Sequence, residues 1–186
     1  MKRSVLWFTI FLLLTAGNAA LAKEEFATFI LENDAFTDNS DDGYTSGIGY
    51  AWGRVGFDEF GDSNTPGWIQ WLSEDLYIST MSGKRRAITY QIFQSMTNPS
   101  DTETSEPQPD DYPYAGTLTW KVTQYAIDDQ VTDTMSLLLG AVGPVSLAEP
   151  LQEAVHDLTD SNDHNGWDNQ LNNEPLFQLG VGRKWL

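Results

Sequence analysis

Cysteine is absent, so this chain of 186 residues can form no disulfide and offers no thiolate as nucleophile or metal ligand. Histidine is nearly absent, with His156 and His164 the only two. Cations are scarce: ten Lys and Arg stand against 27 Asp and Glu, for a formal net charge of −17. A chain so charged lacks the basic face that binds nucleic-acid phosphates, so no nucleic-acid partner is expected. Its surface can repel other anions or collect divalent cations. Beyond the N-terminal leader described next, no run approaches the roughly 18 apolar residues of a transmembrane helix. No G-x-S-x-G elbow occurs, and no Ser–His–Asp triad can be assembled from spacing.

Residues 1–22 read as a secretory signal peptide. Lys2 and Arg3 form a basic start, Ser4 to Ala16 an apolar core containing the run Val5 to Leu14, and Ala20-Leu21-Ala22 a cleavage site. The alternative is an uncleaved anchor, for which the apolar core is short. Residues 23–186 then form one domain, with the periplasm, the medium or an outer-membrane barrel as its destination.

Six stretches of the mature chain alternate with period two: 25–33, 43–53, 86–96, 114–125, 131–142 and 175–185. The fourth is the clearest, with Leu118, Trp120 and Val122 against Thr117, Thr119, Lys121 and Thr123. Each stretch is near the length of a tilted membrane strand, and one face is aliphatic and aromatic while the other is small or polar. The fold class expected is all-β: an antiparallel transmembrane β-barrel of the outer membrane. A soluble sandwich also alternates but turns its apolar face inward. Asp128-Asp129-Gln130 reads as a tight turn, residues 97–112 as a Pro- and acid-rich loop, and residues 54–85 as a long link with a short helix at Trp68–Leu72. The two tryptophans of that helix suit either a membrane interface or packing under the barrel.

Strand parity has a consequence for function. Strands alternate up and down, so the links 34–42, 97–113 and 143–174 leave one rim and the links 54–85 and 127–130 leave the other. With the first strand running outward, the former rim is extracellular. Within the third of its links, Gln152 and His156 are four apart, on one face of a helix, beside Leu151, Val155 and Leu158. A lone histidine is usually structural; His156 also suits a base that takes a proton from water and returns it to a leaving alcohol. His164, in Asp163-His164-Asn165-Gly166, reads as an exposed turn without a role. Glu32-Asn33-Asp34, with Asp38, Asp41 and Asp42, offers oxygen ligands to a hard cation such as Ca²⁺, but without EF-hand spacing a solvated acidic turn is the simpler reading.

The set Glu32-Asn33-Asp34-Ala35-Phe36, Gly43-Tyr44-Thr45-Ser46-Gly47, Tyr112-Pro113-Tyr114-Ala115-Gly116, Gly140-Ala141-Val142-Gly143-Pro144, Gln152…His156 and Gly166-Trp167-Asp168-Asn169-Gln170-Leu171…Asn173-Glu174-Pro175 resembles the outer-membrane lipid A deacylase family, LpxR. The motifs are weak singly; their order and spacing along nearly the whole mature chain carry the likeness. The resemblance implies a 12-stranded barrel and Ca²⁺-dependent hydrolysis of the 3′-acyloxyacyl ester of lipid A. It implies that His156 is the general base with Gln152 beside it, that Asn33 and Asp34 belong to the active-site and cation cluster, and that Thr45 sits close by. It also implies lipopolysaccharide as substrate and a site facing the extracellular leaflet.

The chain departs from the family in two ways. Residues 97–112 hold no Lys or Arg, where the family places basic residues toward the lipid A phosphates. And the chain holds about six strands, whereas an open edge cannot stand in lipid. The expectation is a truncated gene or fragment; the other reading is closure by self-association of copies. The alternative in function is a non-catalytic or degenerate barrel that keeps only the scaffold.

Overall fold

The structure, a computed structural model, describes residues 12–14, 24–33, 43–63, 66–73, 76–159 and 164–186. Six long strands follow one another in chain order: β2 (Glu24–Asn33), β3 (Gly43–Phe57), β4 (Arg85–Asn98), β5 (Ala115–Ile127), β6 (Val131–Val142) and β7 (Glu174–Trp185). A three-residue β1 (Leu12–Leu14), inside the stretch read as a leader, pairs with β2 at its outer edge. Every strand pairs antiparallel with its neighbours in sequence, giving one seven-stranded sheet with β1 and β7 at its edges. The sheet is thus open among the described residues. Meander order follows from short reversals such as Asp128–Gln130, where Asp128 N–H donates to Val131 O at 3.0 Å.

The pairing register aligns the period-two pattern across the sheet. Leu31, Ile48 and Phe29, Tyr50 face one another between β2 and β3; Tyr50 continues to Ile92, then Trp120, Leu139 and Phe177. The opposite face carries Thr and Gly, and it is crowded: a Cβ on Gly49 would run into the Phe93 ring, and one on Gly140 into Leu118 O. The exposed large apolar side chains of the strands all lie on the first face, among them Tyr50 at 47%, Ile92 at 46% and Leu179 at 68%. A soluble sandwich would bury that face, so the sandwich alternative is overturned. An apolar band directed outward over a small polar interior is the pattern of a membrane barrel wall.

Both ends of the apolar face are covered. Below, beyond β3, lie a 3-10 turn (Phe60–Ser63), α1 (Gly67–Ser73) and α2 (Tyr77–Thr80). Phe57, Phe60, Ile69 and Ile78 pack there on Ile88, Val122 and Ala126 of the sheet. Trp68 leans on Trp120 at 5.7 Å, and the row continues through Tyr90, Trp52 and Tyr50 at 5.5–6.4 Å. Trp71 is 74% exposed. Trp68 therefore sits on the lipid-facing side of the wall, extending its aromatic row, while Trp71 lines a cavity with Glu59, Lys84 and Arg85 at the lower end. The strand expected to stop at residue 53 runs on to Phe57, because Arg54 pairs with Glu25 of β2 at 3.0 Å and a register shift between Val55 and Phe57 absorbs Gly56 at φ 83.

The lower end is also where the cations gather. Lys84 Nζ lies 3.0 Å from both Asp128 and Asp133, and Arg183 Nε lies 2.7 Å from buried Asp133. In the turn, Asp128 accepts from Gln130 N–H at 2.8 Å and Val131 N–H at 2.7 Å. The Gln130 amide first, then Lys84 and the Val131 amide, bring its carboxyl pKa down to about 2 from 3.8. A depressed folded-state pKa gives stability that is complete above the unfolded value and vanishes as pH falls through the folded one. Asp128→Asn is therefore expected to melt below wild type at pH 6, with the Tm gap closing between pH 3.8 and about 2. Melting curves of the detergent-solubilised protein check this, and a gap that persists unchanged at pH 2 would refute it.

Candidate active site

The links after β2, β4 and β6 leave the opposite end of the sheet, the upper rim, as strand parity requires. On that rim α3 (Ala148–Thr159) carries the expected pair. Its start is shaped by Gly143, at φ 102, which donates to Gly116 O at 2.8 Å. A 3-10 turn (Pro144–Ser146) follows, then Leu147 at φ 59. Ser146 Oγ accepts from Ala148 N–H at 3.4 Å, Glu149 in the first turn suits the helix dipole, and Pro150 is tolerated there because that turn needs no donor.

The helix docks on the apolar face of the sheet. Ala148 joins Met96, Tyr114 and Trp167 in a buried cluster, with Leu151 against it. Close approach depends on Gly116, where a Cβ would overlap Ser146 Oγ and Ala148 Cβ. Gln94 Nε2 donates to Ser146 O at 2.6 Å from the sheet below.

Gln152 is 5% exposed, and its Oε1 accepts from the Trp167 indole N–H at 2.8 Å. One turn on, His156 is half-buried, with its ring edge-on to His164 at 4.5 Å between centroids and 82° between planes. His164 is not the exposed turn residue that its local sequence suggests: it is half-buried, and its Nδ1 lies 3.0 Å from Asn98 Nδ2. Asn98, at the end of β4, is fully buried. Tyr114 packs on Trp167 at 5.0 Å and toward His164 at 6.5 Å, and a Cβ on Gly166 would strike its ring. His164, Asn98, Tyr114 and Trp167 are the residues that sequence reasoning left without roles. The one available signal was that both histidines fall in the same link.

The acid-rich loop has its own order. Asp101 Oδ1 accepts from Glu103 N–H at 3.1 Å and Thr104 N–H at 3.3 Å, and Asp111 Oδ2 accepts from Ser100 N–H at 2.9 Å. The Ser100 and Tyr112 amides hold the Asp111 carboxyl below its usual range. The loop's carbonyls then receive the α3 link: Thr102 O from Asn165 N–H at 3.0 Å, Glu103 O from Asn165 Nδ2 at 3.1 Å and Ser105 O from Asn169 Nδ2 at 2.8 Å.

Asn33 ends β2 and pairs with Ser46; Ser46 pairs with Met96, and Met96 with Gly116 beneath α3. Three strand spacings, about 14 Å, separate Asn33 from the helix foot. Thr45 lies at a register shift between Tyr44 and Ser46, a bulge that relaxes strict alternation there. The backbones of Asn33 and Thr45 thus share a rim with Gln152 and His156. Asp34, and with it the cation set read at Asp38, Asp41 and Asp42, lies outside the described residues. Among the described residues no three His, Cys, Asp or Glu side chains converge.

The family model described as outer membrane protein LpxR matches residues 6–186. The chain belongs to the LpxR family. No curated protein and no solved structure matches it. The LpxR family is one of outer-membrane lipid A deacylases, so the wall described above belongs to an outer-membrane barrel whose apolar face meets lipid. The LpxR helix α3 consequently stands on the lipid side of the wall, at its upper rim.

Within that frame the Trp167–Gln152 bond is open to test. Trp167→Phe keeps an aromatic ring, smaller than the indole, but strands a buried amide oxygen, which costs about 1–3 kcal/mol. A Tm several degrees lower and roughly tenfold slower turnover are expected by thermal melting and lipid A assay. An unchanged Tm would show that the bond is not made.

Proposed function

We propose that the chain hydrolyses the 3′-acyloxyacyl ester of lipid A in the outer leaflet, with His156 as general base. The observation that carries this reading is α3 itself: a histidine and a pinned glutamine, docked on the lipid side of the wall at the rim shared by Asn33 and Thr45. An acyl ester lying in the leaflet can reach such a helix without leaving the membrane.

In this reading His156 takes a proton from water as the water oxygen bonds to the ester carbonyl carbon. When the tetrahedral adduct collapses, the bond to the sugar oxygen breaks, and His156 returns the proton to that oxygen. The products are a free fatty acid and the 3′-hydroxyl of the sugar. Gln152, with Oε1 engaged by Trp167, offers its N–H donors to a reacting oxygen. The donors available at the rim are oxygens, which fit a hard cation: Asn33 and Asp34 would hold Ca²⁺, and Thr45 would stand close to it. Bound there, Ca²⁺ would supply positive charge to a developing oxyanion.

Mass spectrometry of lipid A from Gram-negative cells expressing the protein, with Ca²⁺ supplied and with Ca²⁺ chelated, tests the reading. Loss of the 3′-acyloxyacyl mass only when Ca²⁺ is present is expected. An unchanged acyl pattern with Ca²⁺ would leave the scaffold-only alternative.

A further inference from the structure

Between α1 and strands β2 to β5 lies a cavity of about 970 Å³ on the lipid-facing side of the wall. That is near the top of the range of roughly 300–1,000 Å³ for built small-molecule sites. Its floor is the aromatic row. Successive rings, Tyr50 to Trp52, Trp52 to Tyr90 and Tyr90 to Trp120, are 26°, 22° and 30° apart in plane, so they form one nearly continuous slab. Trp68 of α1, leaning on Trp120 at 5.7 Å, closes one side. Tyr50 and its pairing partner Ile92 mark the end toward the middle of the wall.

The opposite, lower end is charged. Glu25 and Arg54 pair directly across β2 and β3, with Oε1 and Nε 3.0 Å apart, and both line the cavity. Neither makes a further hydrogen bond or ion pair among the described residues. The guanidinium thus keeps its Nη groups, and the carboxylate its second oxygen, for another partner. From Arg54 up to Tyr50 the strand runs about 13 Å, within the half-thickness of a hydrocarbon core about 30 Å deep. A charged foot and an aromatic floor rising toward mid-wall match one lipid molecule, head at the interface and chain toward the bilayer centre. Bulk lipid wets every barrel wall; here α1 encloses the chain and an ion pair fixes the head.

We propose that this groove seats one phospholipid of the leaflet opposite α3. An acyl chain lies on the aromatic floor, and a zwitterionic headgroup meets the ion pair, phosphate on Arg54 and primary ammonium on Glu25. A quaternary ammonium has no N–H to give the carboxylate, and a headgroup with phosphate alone brings Glu25 a like charge. The choice of leaflet rests on the deacylase reading above, which puts α3 in the leaflet of lipid A.

The test reconstitutes the full chain in nanodiscs holding equal parts of phosphatidylethanolamine, phosphatidylglycerol and phosphatidylcholine with identical chains, and weighs the released complexes by native mass spectrometry. One phosphatidylethanolamine per chain is expected, preferred about fivefold over either other lipid, the size that an exposed ion pair sustains. Ala27→Trp fills the groove from β2 without removing a polar partner, and should lose the bound lipid. Glu25→Gln still offers a carbonyl to Arg54 but no charge to an ammonium, and should hold a lipid without the headgroup preference. A wild-type chain carrying no lipid, the same lipid on Ala27→Trp, or a preference unmoved in Glu25→Gln would each overturn the proposal. Lipid A deacylation on the same preparations separates this site from α3: Ala27→Trp should match wild type, because the groove lies at the other end of the wall. A wild-type chain that carries phosphatidylethanolamine but deacylates nothing upholds the groove and counts against the deacylase reading alone.

Discussion

His156→Ala is expected to lower lipid A deacylation by two to four orders of magnitude while leaving the protein folded in the outer membrane. The size follows from the role proposed for it: a positioned general base contributes roughly 10²–10⁴-fold, about 3–5 kcal/mol of barrier. Preservation of the fold follows from the surroundings. The buried cluster under α3 is Met96, Tyr114, Ala148 and Trp167, with Leu151, and His156 is not part of it. Among the contacts its ring gives up on truncation is the edge-on one with His164. The measurement is release of fatty acid by the purified variant, beside its fractionation and Tm. Wild-type-like release from a folded His156→Ala protein would leave His156 a packing residue, and the site would have to be sought elsewhere on the rim. His156→Gln sharpens the result: it keeps a polar side chain of similar reach but cannot take the proton, so it should be as inactive as alanine.

The strands were legible because their evidence is local and repeated. Alternation marks Leu118, Trp120 and Val122 as one face whatever the rest of the chain does, and β5 and β6 appear within two residues of where that pattern puts them. Parity then gave the shared rim without any tertiary knowledge. The helix was legible for the same reason, since Gln152 and His156 need only helical spacing to share a face. What sequence could not show depends on partners far along the chain. Arg54 looked like the start of a loop; its bond to Glu25 in β2 keeps it in a strand. The loop at 99–114 has no period to read, because its order comes from carboxylates capping its own turns and from Asn165 and Asn169, some sixty residues on. His164, followed by Asn165-Gly166, reads as a turn until Asn98, 66 residues earlier, is seen to lie against its ring. Which face of the sheet carried α3 was equally hidden, since it is settled by a glycine, Gly116, whose importance lies in what packs on it.

That glycine gives the second large effect. Gly116→Val should abolish deacylation without preventing the sheet from forming. A Cβ at residue 116 would overlap Ser146 Oγ, which can turn about χ1, and Ala148 Cβ, which is fixed to the backbone at the foot of α3 and cannot swing aside. Overpacking a buried contact costs about 1–3 kcal/mol when neighbours can give. Here relief requires lifting the helix, which would also loosen the Gly143–Gly116 and Gln94–Ser146 bonds. The pairing of β5 with β4 and β6 makes no use of the space above Gly116, so the wall itself should persist. His156 and Gln152 ride on the lifted helix, and a displacement of about 1 Å is enough to cost a reaction 10²-fold. The expected phenotype is therefore at least hundredfold slower turnover in a protein that still fractionates with the outer membrane and resists proteolysis along its strands. Gly116→Ala should fall between wild type and Gly116→Val. Gly61→Ala is the control, since a Cβ there meets nothing within 4 Å. An active Gly116→Val protein would mean that α3 does not need its seat on β5, and the placement of His156 on the lipid side of the wall would lose its structural basis.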